Sequence, residues 1–392
     1  MNYNFDEIID RRGTRAVKLD AMPEGYTEDA VSLWVADMDF RAAQPILDAL
    51  HNRVDNGIFG YTMYDDPTFK KAITDWFLKR YQWKVAPTDI FYCPGIVPAI
   101  AVLVNALTEP GDGILIQRPV YFPFTSQVEN NDRIIYNNSL KFEDGNYEMD
   151  FEDLDAKLKD SQVKGMILCN PHNPVGRVWT ASELRKVVDI AKKYNKWIIS
   201  DEIHMDLTRL GIEHQPLLKI APDYIDQIIT CTAPTKTFNL AGLCISNIVI
   251  PNPDYQTKWT EIMSHRYHID MPSPFAIEAN IAAYNEGGEW LDQLRAYIDG
   301  NLEYIDDYCK TNLPKSRVTA SEGTYLGWVD VRNYCNDGEK LGELMLKANV
   351  LFNNGAMFGD EGIGFLRINL AAPRAVVGEG MSRLKKVLET LD

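Results

Sequence analysis

The chain has 392 residues, 45% apolar and 24% charged, too long for one hydrophobic core and ordinary for a soluble protein of two domains. A net charge of −16 and a pI near 4.9 argue against nucleic acid as a partner, and no apolar run approaches membrane-spanning length. The first seven residues lack a basic stretch followed by an apolar one, so no secretory leader is expected, and Cys93, Cys169, Cys231, Cys244, Cys309 and Cys335 show no paired spacing. They are expected to be reduced, buried thiols of a cytoplasmic protein.

Residues 1–45 show little periodicity, and a helix is predicted from Pro45 to about Val54. A glycine-punctuated loop, 57–64, carries Tyr61 and Tyr64. Asp66 followed by Pro67 predicts a capped helix start, with Phe69, Ile73, Trp76, Phe77 and Tyr81 along one face. From residue 90 short β runs (90–93, 114–117, 133–136, 166–169, 197–200, 227–231) alternate with helical patterns (99–107, 151–158, 181–194). Alternating apolar strands and helices predict a mostly parallel central sheet covered by helices on both faces. Ligands of such sheets bind at the carboxyl ends of the strands. After residue 285 a long helix (290–309), strands at 325–331, 350–353 and 365–370, a helix at 339–348 and a closing amphipathic helix predict a smaller α/β domain.

Lys236 is the residue around which a site can be built. The apolar run from Ile228 breaks into Thr232-Ala233-Pro234-Thr235-Lys236-Thr237, placing one amine among hydroxyls at a strand's carboxyl end. Desolvation lowers a lysine's pKa, and a neutral amine attacks a carbonyl to form a Schiff base. A solvated loop lysine is the plainer alternative. Asp201 ends the run 197–200, where a carboxylate can keep a pyridine nitrogen protonated or simply cap a helix. His204 can reach a phenolic oxygen or cap a turn.

Asn170-Pro171-His172-Asn173-Pro174-Val175-Gly176 is a turn that sets Asn173 beyond a strand, and Gly95, Ile96 and Val97 offer phosphate-binding amides where a helix is expected near Pro98. Thr235 can add a hydroxyl, and Tyr121 can stack on a ring or lie in the core. Alternation in residues 365–370 places Leu366, Ile368 and Leu370 on one face and Arg367 with Asn369 on the other. Arg367 needs an anion, either a substrate carboxylate or an internal Asp or Glu. His265 and His268 lack a third ligand, so no metal is expected. Cys231 and Cys244, flanking the lysine, read as small buried hydrophobes.

In this order, the Gly95 turn, Tyr121, Asn173, Asp201, Lys236 and Arg367 resemble the fold-type I pyridoxal 5'-phosphate (PLP) enzymes of the class I/II aminotransferase superfamily over nearly the whole chain. Residues 34–40, 60–62, 201–204, 233–242 and 367–371 resemble its C–S lyase branch, which includes cystathionine β-lyases and a maltose-regulon modulator. The resemblance implies a large PLP-binding domain at 46–285 and a small one from 1–45 and 286–392. It implies a homodimer with shared sites, Tyr61 reaching the second copy's phosphate, and an amino-acid substrate held by Arg367. It also implies β-elimination of sulfur amino acids to thiol, pyruvate and ammonia; transamination and a PLP-binding regulatory role remain alternatives. Typical aminotransferases carry a phosphate-neutralising arginine eight residues after the lysine; here Cys244 stands there, as the C–S lyase branch also lacks it.

Overall fold

The computed structural model describes residues 2–391. Its central sheet has seven strands, β1 (Ile90–Cys93), β2 (Gly113–Ile116), β3 (Ile134–Asn137), β4 (Val163–Cys169), β5 (Trp197–Asp201), β6 (Ile228–Thr232) and β7 (Ser246–Val249). They lie in the order β1-β7-β6-β5-β4-β2-β3, and only β7 runs antiparallel to its neighbours. Because β7 is antiparallel to both β6 and β1, those two strands point the same way. The carboxyl ends of β1, β2, β4, β5 and β6 therefore open onto one edge.

The apolar residues show no polar alternation because both sheet faces are buried. Leu115, Met166, Leu168, Ile198 and Ile228 pack in one core with helices Pro67–Tyr81, Phe151–Lys159, Ala181–Lys193 and Pro274–Glu286. Ile114, Ile116, Ile167, Ile199 and Ile229 enter a second core with Ile96–Leu107, Pro123–Glu129 and Pro253–Thr260. Asp66 caps its helix as expected, accepting from the Thr68 and Phe69 amides at 2.9 and 3.0 Å.

A second, antiparallel sheet follows, formed by β8 (Arg317–Val318), β9 (Leu326–Asp330), β10 (Asn353–Asn354) and β11 (Phe365–Asn369) in the order β8-β9-β11-β10. Leu366, Ile368 and Leu370 face a third core with Ile305, Cys309, Met381 and Leu384 from helices Gly288–Asn312 and Arg374–Leu388. The expected strand 350–353 divides instead. Val350–Leu351 pairs in parallel with Val31–Ser32, while Asn353–Asn354 pairs with β11. The helix expected near Pro98 begins at Ile96, since Gly95 already occupies its N-cap. Five cysteines are buried, but Cys244 is exposed. It follows the 3₁₀ turn Ala241–Leu243 in a left-handed conformation (φ 54°), outside β7, and so escapes the sheet core.

Candidate active site

The β6 strand is buried along its length and runs through Ala233 into the one-turn helix Pro234–Thr237, which presents Lys236. The Lys236 amine donates to the Ala36 carbonyl at 2.6 Å, and the Tyr325 hydroxyl donates to the same oxygen at 2.7 Å. Burial, reinforced by the Arg367 charge and opposed by Asp37 and Asp201, lowers the amine's pKa to about 8. About a tenth of the amine is thus neutral at pH 7, far more than of an ordinary lysine, and the neutral form is the one that attacks a carbonyl.

Ala36 belongs to a segment, residues 34–40, strapped between the two sheets. Asn239, three residues after the lysine, accepts from the Met38 amide and donates to the Met38 and Phe40 carbonyls. From β11, Asn369 donates to the Val35 and Asp37 carbonyls. Lys18 and Arg11 pair with Asp39, and Arg11 also with Asp37.

Asp201 ends β5 beside Cys169 of β4 and Cys231 of β6. It is buried, and among the described residues its carboxylate accepts a hydrogen bond only from the Ile203 amide, at 3.1 Å. Burial, with Glu202 adding and the Ile203 amide and Lys236 opposing, raises its pKa to about 7. His204 is buried too, its ring edge-on to Tyr325 at 5.7 Å, and its Nδ1 has no hydrogen-bond partner. Burial, then the Lys236 and Arg367 charges, hold it neutral with its pKa lowered to about 3.

Arg367 is buried in β11, with no carboxylate within 4 Å among the described residues. Its guanidinium donates instead to Asn173 Oδ1 (3.1 Å), the Trp34 carbonyl (3.1 Å) and Asn353 Oδ1 (2.6 Å), leaving Nε without a partner. Burial depresses its pKa to about 10. The internal acid that would have explained this arginine structurally is therefore absent, and a desolvated cation without a counter-charge is a ready receptor for a carboxylate. Tyr121 is half-buried; burial raises its phenol's pKa, with Asp201 adding and Arg367 opposing.

On the same edge, helix Ile96–Leu107 starts at Gly95 with no side-chain cap, leaving its first amides available to an anion. Thr235 is buried beside the lysine. Tyr61, by contrast, is not brought into this cluster. Its side chain is 98% exposed, beside exposed Ile58, Phe59, Met63 and Met271, on a surface cleft of about 620 Å³. Sequence reasoning missed Tyr325, Asn353 and the Ala36 carbonyl. Tyr325 opens a predicted strand, but nothing in its spacing connects it with residue 36.

An amine whose proton is loosened by burial, a buried carboxylate able to share a proton, a carboxylate-free arginine and uncapped helix amides suit a group with an aldehyde, a basic ring nitrogen and a phosphate. The family comparison agrees. The model of the aminotransferase class I and II family matches residues 29–384. The chain belongs to that family. Its fold is PLP-transferase fold type I and its cofactor is pyridoxal phosphate. Cystathionine β-lyase PatB of Bacillus subtilis is 42% identical across 98% of this chain and 100% of its own length. Protein MalY of Escherichia coli is 31% identical over 97% and 98%. Cystalysin from Treponema denticola, solved with PLP, superposes with a TM-score of 0.96 at 39% identity, covering both chains fully. The PLP-bound C–S lyase from Staphylococcus hominis gives 0.93 at 36% identity, over 99% of this family member and 98% of that chain.

Proposed function

We propose that the protein is a PLP-dependent carbon–sulfur β-lyase acting on cystathionine or related sulfur amino acids. The observation that carries this reading is a desolvated Lys236 amine in one cluster with an arginine that no internal acid neutralises. The chain-long similarity to relatives named cystathionine β-lyase and C–S lyase favours elimination over amino transfer.

Arg367, aligned by Asn173 and Asn353, holds the substrate's α-carboxylate. Lys236 would hold the cofactor through its aldehyde, and its amine, when free, is the base that takes the Cα proton; the Ala36 carbonyl keeps that amine within reach. Asp201 would hold a proton at the cofactor's ring nitrogen, Asn173 and His204 would bind its phenolic oxygen, and Tyr121 would stack on its ring. Bound PLP supplies an electron sink for the pair left at Cα. The Cβ–S bond then breaks with its pair on sulfur, the thiolate takes up a proton, and the three-carbon remainder hydrolyses to pyruvate and ammonia.

With Cys244 in place of an arginine, phosphate binding falls to the amides of Gly95, Ile96 and Val97, to the Thr235 hydroxyl and to Tyr61 of a second copy. The exposed apolar residues around Tyr61 support a homodimer as the working form. Residues 46–285 form the large domain, 1–45 with 286–392 the small one, and the enzyme works in the cytoplasm. Incubating PLP-loaded protein with cystathionine and no keto acid tests the reading. Catalytic pyruvate and free thiol are expected. One stoichiometric half-turnover would mean an aminotransferase, and bound cofactor without reaction would mean a non-enzymatic role.

A further inference from the structure

Lys236 rides on a helix of four residues, too short to fix its own orientation. Its direction therefore depends on what holds the turn. On one side Asn239 ties the chain to residues 38–40. On the other, the Thr237 hydroxyl donates to Asp206 Oδ2 at 2.8 Å. Asp206 is buried and also accepts from the Trp76 indole at 3.0 Å and from the Tyr81 hydroxyl, both on helix Pro67–Tyr81. Phe238, one residue further, packs edge-on against Trp76 at 5.6 Å. No cation pairs with Asp206 among the described residues, so three neutral donors satisfy it.

Two features make this more than a stray buried acid. Asp206 lies in the loop that follows β5, the loop that begins directly after Asp201 and carries His204. That loop is itself braced from beneath: Glu202, fully buried, accepts from Ser200 at 2.8 Å, His214 at 2.8 Å and the Leu217 amide at 3.0 Å. The end of β5 and the braced loop after it thus hold, five residues apart, the carboxylate assigned to the ring nitrogen and the acceptor that grips the residue next to the lysine.

Resting on the PLP-lyase reading above, we infer that Asp206 is a positioning residue that sets the placement of Lys236 relative to Asp201 through the Thr237 hydroxyl. It touches neither substrate nor cofactor. Thr237→Val keeps the side chain's shape and removes only the donor; Thr237→Ser restores the donor; Asp206→Asn weakens the acceptor while leaving a hydrogen-bonding group for Trp76 and Tyr81.

The test loads apoprotein with PLP and follows the rate of covalent capture by Lys236 and the pH midpoint of the bound cofactor's absorbance. Turnover of cystathionine and melting temperature are measured alongside. For Thr237→Val, capture and kcat are expected to fall on the order of tenfold or more, with KM moving less than about twofold and the absorbance midpoint shifted. Thr237→Ser is expected to behave as wild type and Asp206→Asn to follow Thr237→Val. A Thr237→Val protein that captures PLP at the wild-type rate with unchanged absorbance, and differs only in melting temperature, would overturn the inference. If no variant, wild type included, releases thiol while Thr237→Val still slows capture, the lyase reading fails and the positioning role stands.

Discussion

Replacing Arg367 with methionine tests whether this arginine is kept for a ligand or for the fold. Its pKa falls from 12.5 to about 10, chiefly through burial. At pH 7 the group is charged both folded and unfolded, so the whole desolvation cost is present, about 3 kcal/mol. It would shrink only as pH rose past the folded value. Against it stand three hydrogen bonds donated by a charged group, to Asn173, Trp34 and Asn353, each contributing about 1.5 kcal/mol. The bonds exceed the desolvation cost by about 1–2 kcal/mol, and methionine fills a similar volume beside Phe358, over whose ring the guanidinium lies at 4.9 Å. Arg367→Met is therefore expected to destabilise the PLP-loaded protein by about 1–2 kcal/mol, where breaking a matched buried ion pair costs about 3–5. Wild type should gain about 2.7 kcal/mol from an α-methyl amino acid, which has no Cα proton to lose, at about a hundredfold over its Kd. The variant should gain nothing. Heat melting with and without this ligand measures both quantities. A variant destabilised by more than ~3 kcal/mol, or one that the ligand still stabilises, would show that Arg367 serves the fold rather than a carboxylate.

Asp201 gives the cofactor-free protein a distinctive pH dependence. Its folded pKa of about 7 lies above the ordinary 3.8, so the folded state holds the proton more tightly and stability is lost as pH rises between those values. The loss amounts to about 4 kcal/mol by linkage. Asp201→Asn should remove it, so that urea unfolding at intervals from pH 4 to 8 shows the variant's advantage over wild type growing and then levelling; parallel curves would contradict the burial argument. Shared sites make a separate prediction. Chains carrying Lys236→Ala and chains carrying Tyr61→Ala, each nearly inactive alone, should recover about a quarter of wild-type activity when unfolded together and refolded, because hybrid dimers hold one intact site. Absence of recovery in verified hybrids would mean that Tyr61 serves its own chain or none.

Local pattern was enough to anticipate the strands that end at the site, because buried β runs of four to seven residues with turn residues behind them are legible one at a time. It also anticipated the separation of Arg367 and Asn369 from Leu366, Ile368 and Leu370, since strand period alone decides faces. It missed helix Pro274–Glu286, whose Ala276, Ile277, Ala279, Ala282 and Ala283 are buried around most of its circumference and leave no polar stripe to mark the period. It misplaced Cys244 for a related reason: the apolar residues after it resemble a strand that begins two positions later.

The most instructive gap concerns residues 34–40. Lys236, Tyr325, Arg367, Asn239 and Asn369 all bond to backbone groups of that segment, and all five reach it across about 200 to 334 positions of sequence. A carbonyl oxygen is the same atom whatever residue bears it, so spacing and composition carry no trace of its use. The side chains that perform the chemistry are thus written plainly in the sequence, while the acceptors that aim them exist only once both sheets have closed on the strap between them. Asp206 belongs to the same class. A lone acid two residues after a histidine reads as surface until the Trp76 indole and the Thr237 hydroxyl are seen to converge on it. Buried acids that accept only neutral donors from distant elements are therefore where this family's members are best searched for control over a lysine whose own helix is a single turn long.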